Sequence, residues 1–178
     1  MAIALRPGNA ALLARRGGLF VITDAPRSAL RDFDESIRLD PSSPASADAY
    51  LGRGLTRVTL GLHREAVADA SRAMQLGDQT ELRLYNAARI YARAAIAAAA
   101  EVKKTGQDAV GLISRYQERA LALARQAVMH HPAADRSRFV RNVVQTDPAL
   151  ATLRHRLRSL ELAGSTISSD RSGTQPRN

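Results

Sequence analysis

Three observations on the 178-residue chain predict an all-α fold. Aromatic residues make up only 4% and tryptophan is absent, whereas strands draw on aromatic and β-branched side chains. Alanine, the strongest helix former, supplies close to a fifth of the residues. Apolar residues also recur at helical spacing inside a unit that repeats after 37 residues. With 45% hydrophobic and 24% charged residues, the chain has a globular composition, and its length suits about one domain.

The formal net charge is +9, from 26 basic against 17 acidic residues, and the only lysines are Lys103 and Lys104. Arginine carries the rest, which disfavours basic partners. Cysteine is absent, excluding disulfides, thiolate metal sites and a cysteine nucleophile. No apolar run reaches the roughly 18 residues of a membrane span. The start, Met1-Ala-Ile-Ala-Leu-Arg-Pro-Gly, lacks the basic and then apolar build of a secretion signal. Cytoplasmic residence is the expectation.

After a lead-in over 1–9, the unit 10–43 reads as two helices. Leu12, Leu13, Leu19 and Phe20 are the apolar residues of the first, and Ala29, Phe33 and Ile37 those of the second. Leu39-Asp40-Pro41 closes the unit, because proline disfavours helical geometry at the residue before it. The unit 47–80 follows after Pro44-Ala-Ser46, with Tyr50, Leu51, Leu55 and Val58, then Ala66, Ala70, Ala73 and Met74, and stops at Gly77-Asp78. In this register Arg53-Gly54 falls on Arg16-Gly17, Ala66 on Ala29, Asp69 on Asp32, Ala70 on Phe33 and Leu76 on Leu39. Glycine inside a helix costs on the order of 1 kcal/mol against alanine, so Gly17 and Gly54 predict close approach of the second helix.

A longer hairpin is expected over 81–134. Leu84-Tyr-Asn-Ala-Ala-Arg-Ile-Tyr91 opens its first helix and the alanines up to Ala100 continue it; Thr105-Gly106 marks a turn. Val110, Ile113 and Tyr116 lead into Ala120, Ala124 and Ala127 of the second helix, which Pro132 ends. Helices are expected over 80–103 and 108–130, projecting beyond their neighbours. A two-helix cap is expected over 135–163. Phe139, Val143 and Val144 share one face between Arg136 and Gln145, and Asp147-Pro148 opens a helix to about Leu162 with Leu150, Leu153, Leu157 and Leu160 as its stripe. Residues 164–178 read as a disordered tail.

The segment Ala29-Leu-Arg-Asp-Phe-Asp-Glu-Ser-Ile-Arg-Leu-Asp-Pro41 resembles the second helix and closing proline of a bacterial tetratricopeptide repeat (TPR), a unit of about 34 residues. The other units resemble it with departures. Leu13 stands at a large aromatic position, Asp78 at the closing proline, and the third unit is expanded by about twenty residues. The resemblance implies a right-handed α-α solenoid of TPR-like hairpins, the third extended, with a C-terminal helical cap. Because no capping helix precedes the first unit, the chain is expected to be the C-terminal part of a longer array, a truncated gene product or a partner-dependent module.

The same resemblance implies a concave groove lined by first helices that binds a partner segment. In register its residues are Ala14, Gly18, Val21 and Ile22; Leu51, Leu55, Val58 and Thr59; and Tyr85, Arg89, Ala92 and Arg93. Apolar at one end and arginine-bearing at the other, the groove suits a protein or peptide with an apolar anchor and acidic residues. The carboxylate clamp of chaperone-binding TPRs is not expected, since Ala14, Gly18, Gly52 and Leu82 occupy its positions and Asn86 stands alone.

The expected function is a non-catalytic protein-protein interaction scaffold without cofactor or metal. No serine-histidine-acid arrangement or phosphate loop is present. His63, His130, His131 and His155 lack metal-binding spacing and read as helix-end residues, and Asp34, Glu35, Asp40 and Asp69 read as solvated charges. One alternative is an arginine-rich nucleic-acid binder using Arg136, Arg138, Arg141, Arg154, Arg156, Arg158, Arg171 and Arg177. Another is the regulatory tail of a larger multidomain enzyme, such as a bacterial serine/threonine kinase. Membrane association is not expected.

Overall fold

The computed structural model describes residues 9–106 and 109–157. The lead-in before residue 9, the last helix beyond Leu157 with Arg158 and Leu160, and the tail 164–178 with Arg171 and Arg177 lie outside the described residues. Helix α1 (Ala10–Ile22) begins where Asn9 Oδ1 accepts the N–H of Leu12 at 3.1 Å, supplying a partner to a first-turn donor that the helix leaves unpaired. Proline at the first position opens α2 (Pro26–Leu39), where its missing N–H costs nothing. Next come α3 (Ser46–Thr59) and α4 (His63–Ala73). Thr80 caps the long α5 (Glu81–Thr105), which ends at Gly106 in the left-handed region with φ 69°, and α6 (Val110–Met129) returns. Among the described residues there is no strand.

Consecutive helices pack as pairs, α1 with α2, α3 with α4 and α5 with α6. Each pair also packs on the next, α3 lying against both α1 and α2, and α5 against both α3 and α4. One aromatic ring organises the first junction. A Cβ placed on Gly17 would stand 2.8 Å from the Phe33 ring, and one on Gly52 would stand 2.4 Å from it. The ring of α2 is thus clasped between α1 and α3, which explains Gly17 and adds Gly52 to the expected close approaches. At Gly54 a Cβ would meet the carbonyl oxygen of Ala66 at 3.1 Å and Ile90 Cδ1 at 3.0 Å.

Charged residues lock the first two pairs internally. Arg16 donates to both oxygens of Asp32 at 2.6 and 2.7 Å, and Arg53 donates to both oxygens of Asp69 at 3.0 and 2.6 Å. Arg57 adds a 2.7 Å bond to Asp69, and Arg53 also reaches Asp34 at 2.8 Å. Asp69, expected among the solvated charges, is instead 3% exposed; its two arginine partners make that burial tolerable. Burial pulls against the charge of Arg53, but Asp69 and Asp34 outweigh it and raise its pKa. In the third pair the same zone is apolar. Ala87, Ala88, Ala120, Leu123, Ala124 and Ala127 are all fully buried.

The described part of the cap differs from two plain α-helices. A short α7 (Ala133–Phe139) passes into a π-helical turn, Val140–Val144, closed by the N–H of Gln145 on the carbonyl of Val140 at 2.8 Å. The widened turn leaves Val140 and Val144 both fully buried. Asp147 does cap the next element, accepting from Ala149 N–H at 2.8 Å ahead of Pro148, but Pro148–Leu153 is a 3-10 helix before α-helical turns resume at Arg154. At three residues per turn, positions i and i+3 align, and this brings Leu150 and Leu153 inward together.

Candidate functional site

The sequence-expected groove residues divide into three groups. Leu51, Val58 and Ala92 are core residues, buried at the junctions between pairs. Their burial removes them from the expected lining, since a buried side chain is not available to a partner. Ala14, Gly18, Leu55, Tyr85, Arg89 and Arg93 are half-buried, and Val21, Ile22 and Thr59 are exposed, Ile22 at 82%. A Cβ on Gly18 would meet nothing within 4 Å. The open part of the face is therefore Ala14, Gly18, Val21 and Ile22 on α1, Leu55 and Thr59 on α3, and Arg93 on α5, whose Nη1 donates to Thr59 Oγ1 at 3.3 Å.

At the other end of α5 the face is taken by the chain itself. The Tyr85 hydroxyl donates to Asp147 Oδ2 at 2.7 Å and to the Val143 carbonyl at 3.4 Å, while Arg89 Nε lies 3.0 Å from the same Asp147 oxygen. The Tyr85 and Phe139 rings meet edge to face with centroids 6.0 Å apart. Burial, reinforced by the Asp147 carboxylate, pushes the Tyr85 pKa up, so the hydroxyl stays a donor. Tyr85 and Arg89 thus hold an internal aspartate, and Arg93 is the expected groove arginine without a carboxylate partner among the described residues. Sequence spacing gave no hint of the Tyr85–Asp147 contact, which joins residues 62 apart.

His63 stands at a helix end, as the first residue of α4, and is buried there. Its Nε2 shares a 2.7 Å hydrogen bond with Glu101 Oε2, and its ring meets Tyr116 edge-on at 6.1 Å. The His63 bond holds the Glu101 carboxyl below its ordinary pKa. This contact also answers the expected projection of the third hairpin. α5 runs on past its Arg93–Thr59 contact with the end of α3, and the first residue of α4 leans against it at Glu101.

Among the described residues no group of three histidine or acidic side chains is placed to hold a metal ion. Nor is any helix long and apolar enough to cross a membrane. Two of the arginines named for phosphate contact make hydrogen bonds within the chain, and a third stays exposed. Arg136 donates to the His131 carbonyl at 3.0 Å, Arg138 lies 4.0 Å from Asp135, and Arg156 donates to Glu118 at 2.7 Å.

The TPR repeat-containing thioredoxin TDX of Arabidopsis thaliana is 32% identical to this chain over 81 residues. That match covers 46% of this chain and 20% of the plant protein, so the chain spans about a fifth of the length of the relative it matches. It supports a TPR-like repeat relationship. No family model matches the chain, and no solved structure matches it. The stacked helical pairs, with small residues where a pair closes, accord with a repeat of this kind.

Proposed function

We propose that the chain is a non-catalytic, cytoplasmic protein-interaction scaffold of the TPR type. Its hairpins form a right-handed solenoid that binds a partner segment along the concave face of α1, α3 and α5. The observation that carries this reading is the partly exposed strip through Gly18, Leu55 and Arg93, which crosses all three first helices while Leu51, Val58 and Ala92 beside it are buried as core. The partner is a peptide segment with an apolar anchor over Ala14, Gly18 and Leu55 and an acidic group near Arg93, the arginine of that face without an acidic partner among the described residues. The hydrogen bonds of Arg136 and Arg156 to groups of the chain itself weigh against a phosphate-binding cap.

The test is a photo-crosslinking residue placed at position 18, where space is open, or at position 55, with position 38 on the outer face of α2 as control. Exposed to extract of the native host, the first two variants are expected to capture the same protein and the third to miss it. Absence of a protein adduct from both face positions, or nucleic acid as the only adduct, would remove the proposal.

A further inference from the structure

Beyond Thr59 the first helix of a regular pair would turn back, as α1 does at Thr23 and α3 at Leu60. α5 instead continues from Arg93 to Thr105. The continuation is flanked by two clefts. One, of about 420 Å³, lies between Leu62 and His63 on one side and Ala97, Ala100 and Lys104 on the other. The second, of about 280 Å³, lies across the helix, where Ile96, Ala100 and Lys103 face Ile113, Gln117 and Thr152. Ala100 belongs to both clefts and is exposed, as are Ile96 and Leu62 at 43% and 42%. A structural hairpin does not need this apolar relief to face water.

The charges around it have one predominant sign. Arg93, Lys103 and Lys104, including both lysines of the chain, make no ion pair among the described residues. Arg64 stands at the edge of the first cleft. Against them stand Glu65 and Glu101, the latter already bonded to His63. Backbone donors and acceptors here are spent inside α4, α5 and α6, so an extended strand finds no edge to pair with. A helix brings its own satisfied backbone and needs only apolar recesses for its side chains. Small residues such as Ala97 and Ala100 also permit close approach of helix axes.

We propose that the continuation of α5, Arg93 to Lys104, is a second docking surface that receives an acidic amphipathic helix of a partner protein. Its apolar side chains enter the two clefts, and its carboxylates meet Arg93, Lys103 and Lys104. The proposal deepens the scaffold reading and rests on it.

The test uses the full chain and a fluorescein-labelled helical peptide with leucine at i, i+3, i+4 and i+7 and glutamate on its other face, beside a counterpart with lysine for glutamate. In fluorescence anisotropy the glutamate peptide is expected to bind, with affinity falling as salt is raised. The lysine peptide is expected to be at least tenfold weaker. Lys103→Gln with Lys104→Gln should weaken the glutamate peptide about tenfold, Ile96→Asp by a similar factor, and Leu55→Glu on the neighbouring face less than twofold. Ile96, Lys103 and Lys104 are exposed and Leu55 is partly buried against the core, and thermal melts verify that each variant folds. Hydrogen exchange should slow over 96–104 on binding.

Equal binding of the two peptides, or no binding, overturns the second surface. Loss with Leu55→Glu but not with the lysine variants also overturns it while leaving the scaffold reading in place. If single-stranded polyuridylate binds with the same lysine dependence and no dependence on Ile96, the surface belongs to nucleic acid and the proposal fails. Failure of the crosslinks from positions 18 and 55, by contrast, removes the scaffold reading itself.

Discussion

The first two helical pairs and the third close on themselves at equivalent places with opposite chemistry. Beside the small residue of the first helix stand Arg16 and Arg53 in the first two pairs, and Ala87 beside Ala88 in the third. Three positions after the small residue of the second helix stand Asp32 and Asp69, and then Leu123. Two pairs are therefore pinned by arginine-aspartate forks, and the third by fully buried alanine and leucine. A buried fork prescribes geometry, because each arginine must find its aspartate, but desolvation consumes most of its attraction. Apolar contact is less demanding of register, and the pair that uses it is also the longest, spanning Glu81–Thr105 and Val110–Met129.

The sharpest way to break this comparison is Asp69→Ala. It strands Arg57 and leaves Arg53 with Asp34 alone, their side chains being only 24% and 15% exposed, and breaking such a pair from one side costs about 3 to 5 kcal/mol. Urea unfolding should show a loss of about 3 kcal/mol or more; a loss under about 1 would mean the fork is ornamental. On the apolar side, Leu123→Ala removes a fully buried side chain and is expected to cost about 3 kcal/mol by the same measurement, within the usual range for buried leucine. The two substitutions sit at equivalent positions, so their similar cost would show that either chemistry can close a pair.

The junction between pairs is tested by Gly52→Ala. The added methyl group would stand 2.4 Å from the Phe33 ring, which Gly17 prevents from retreating toward α1. Overpacking of this kind costs about 1 to 3 kcal/mol. Combining the change with Phe33→Leu should recover part of the loss, because the shorter side chain leaves room between α1 and α3.

Helix positions were legible in the sequence because the 37-residue repeat shows each apolar stripe twice. The long hairpin's helices, expected over 80–103 and 108–130, are observed at Glu81–Thr105 and Val110–Met129. The forks were only half legible. Arg16 and Asp32 recur as Arg53 and Asp69 in the same register, a signal that the four residues belong together, yet aspartate on a second helix ordinarily faces water. His63–Glu101 and Tyr85–Asp147 could not be read at all, since each joins a repeat to an insertion or cap with no second copy to compare. The same holds for the candidate face: register located Gly18, Leu55 and Arg93 but could not tell them from Leu51, Val58 and Ala92, which differ only in what packs over them.

Tyr85 offers a pH test of how the third pair holds the cap. Its pKa is raised from 10.0 in the folded chain, so its contribution is whole below pH 10 and shrinks as pH rises above it, when the unfolded chain ionises first. Tyr85→Phe should cost about 1 kcal/mol at neutral pH, the worth of one charge-assisted hydrogen bond shared with Arg89. It should also flatten the alkaline fall in melting temperature. A raised Tyr116 keeps some of that fall in the variant, so an unchanged alkaline slope, rather than a residual one, would count against the assignment.

The smallest expected effect is the most informative about why two chemistries coexist. Arg16→Ala with Asp32→Leu installs the third pair's residues in the first pair. Arg16 is 45% exposed and Asp32 9%, so the fork is partly wet and its net worth is small. Replacing an ion pair by packed apolar residues is often neutral or stabilising, and the double variant is expected to lie within about 1 kcal/mol of the parent. If it does, the fork is retained for geometry, and the place to look for its loss is the register of α1 against α2. There Ser36 Oγ donates to the Ala10 carbonyl at 2.7 Å, and the amide signals of Ala10 and Ala11 should shift or broaden. A loss above about 2 kcal/mol would place the fork among the stabilising contacts of the first pair and make the alanine-rich third pair the exception to explain.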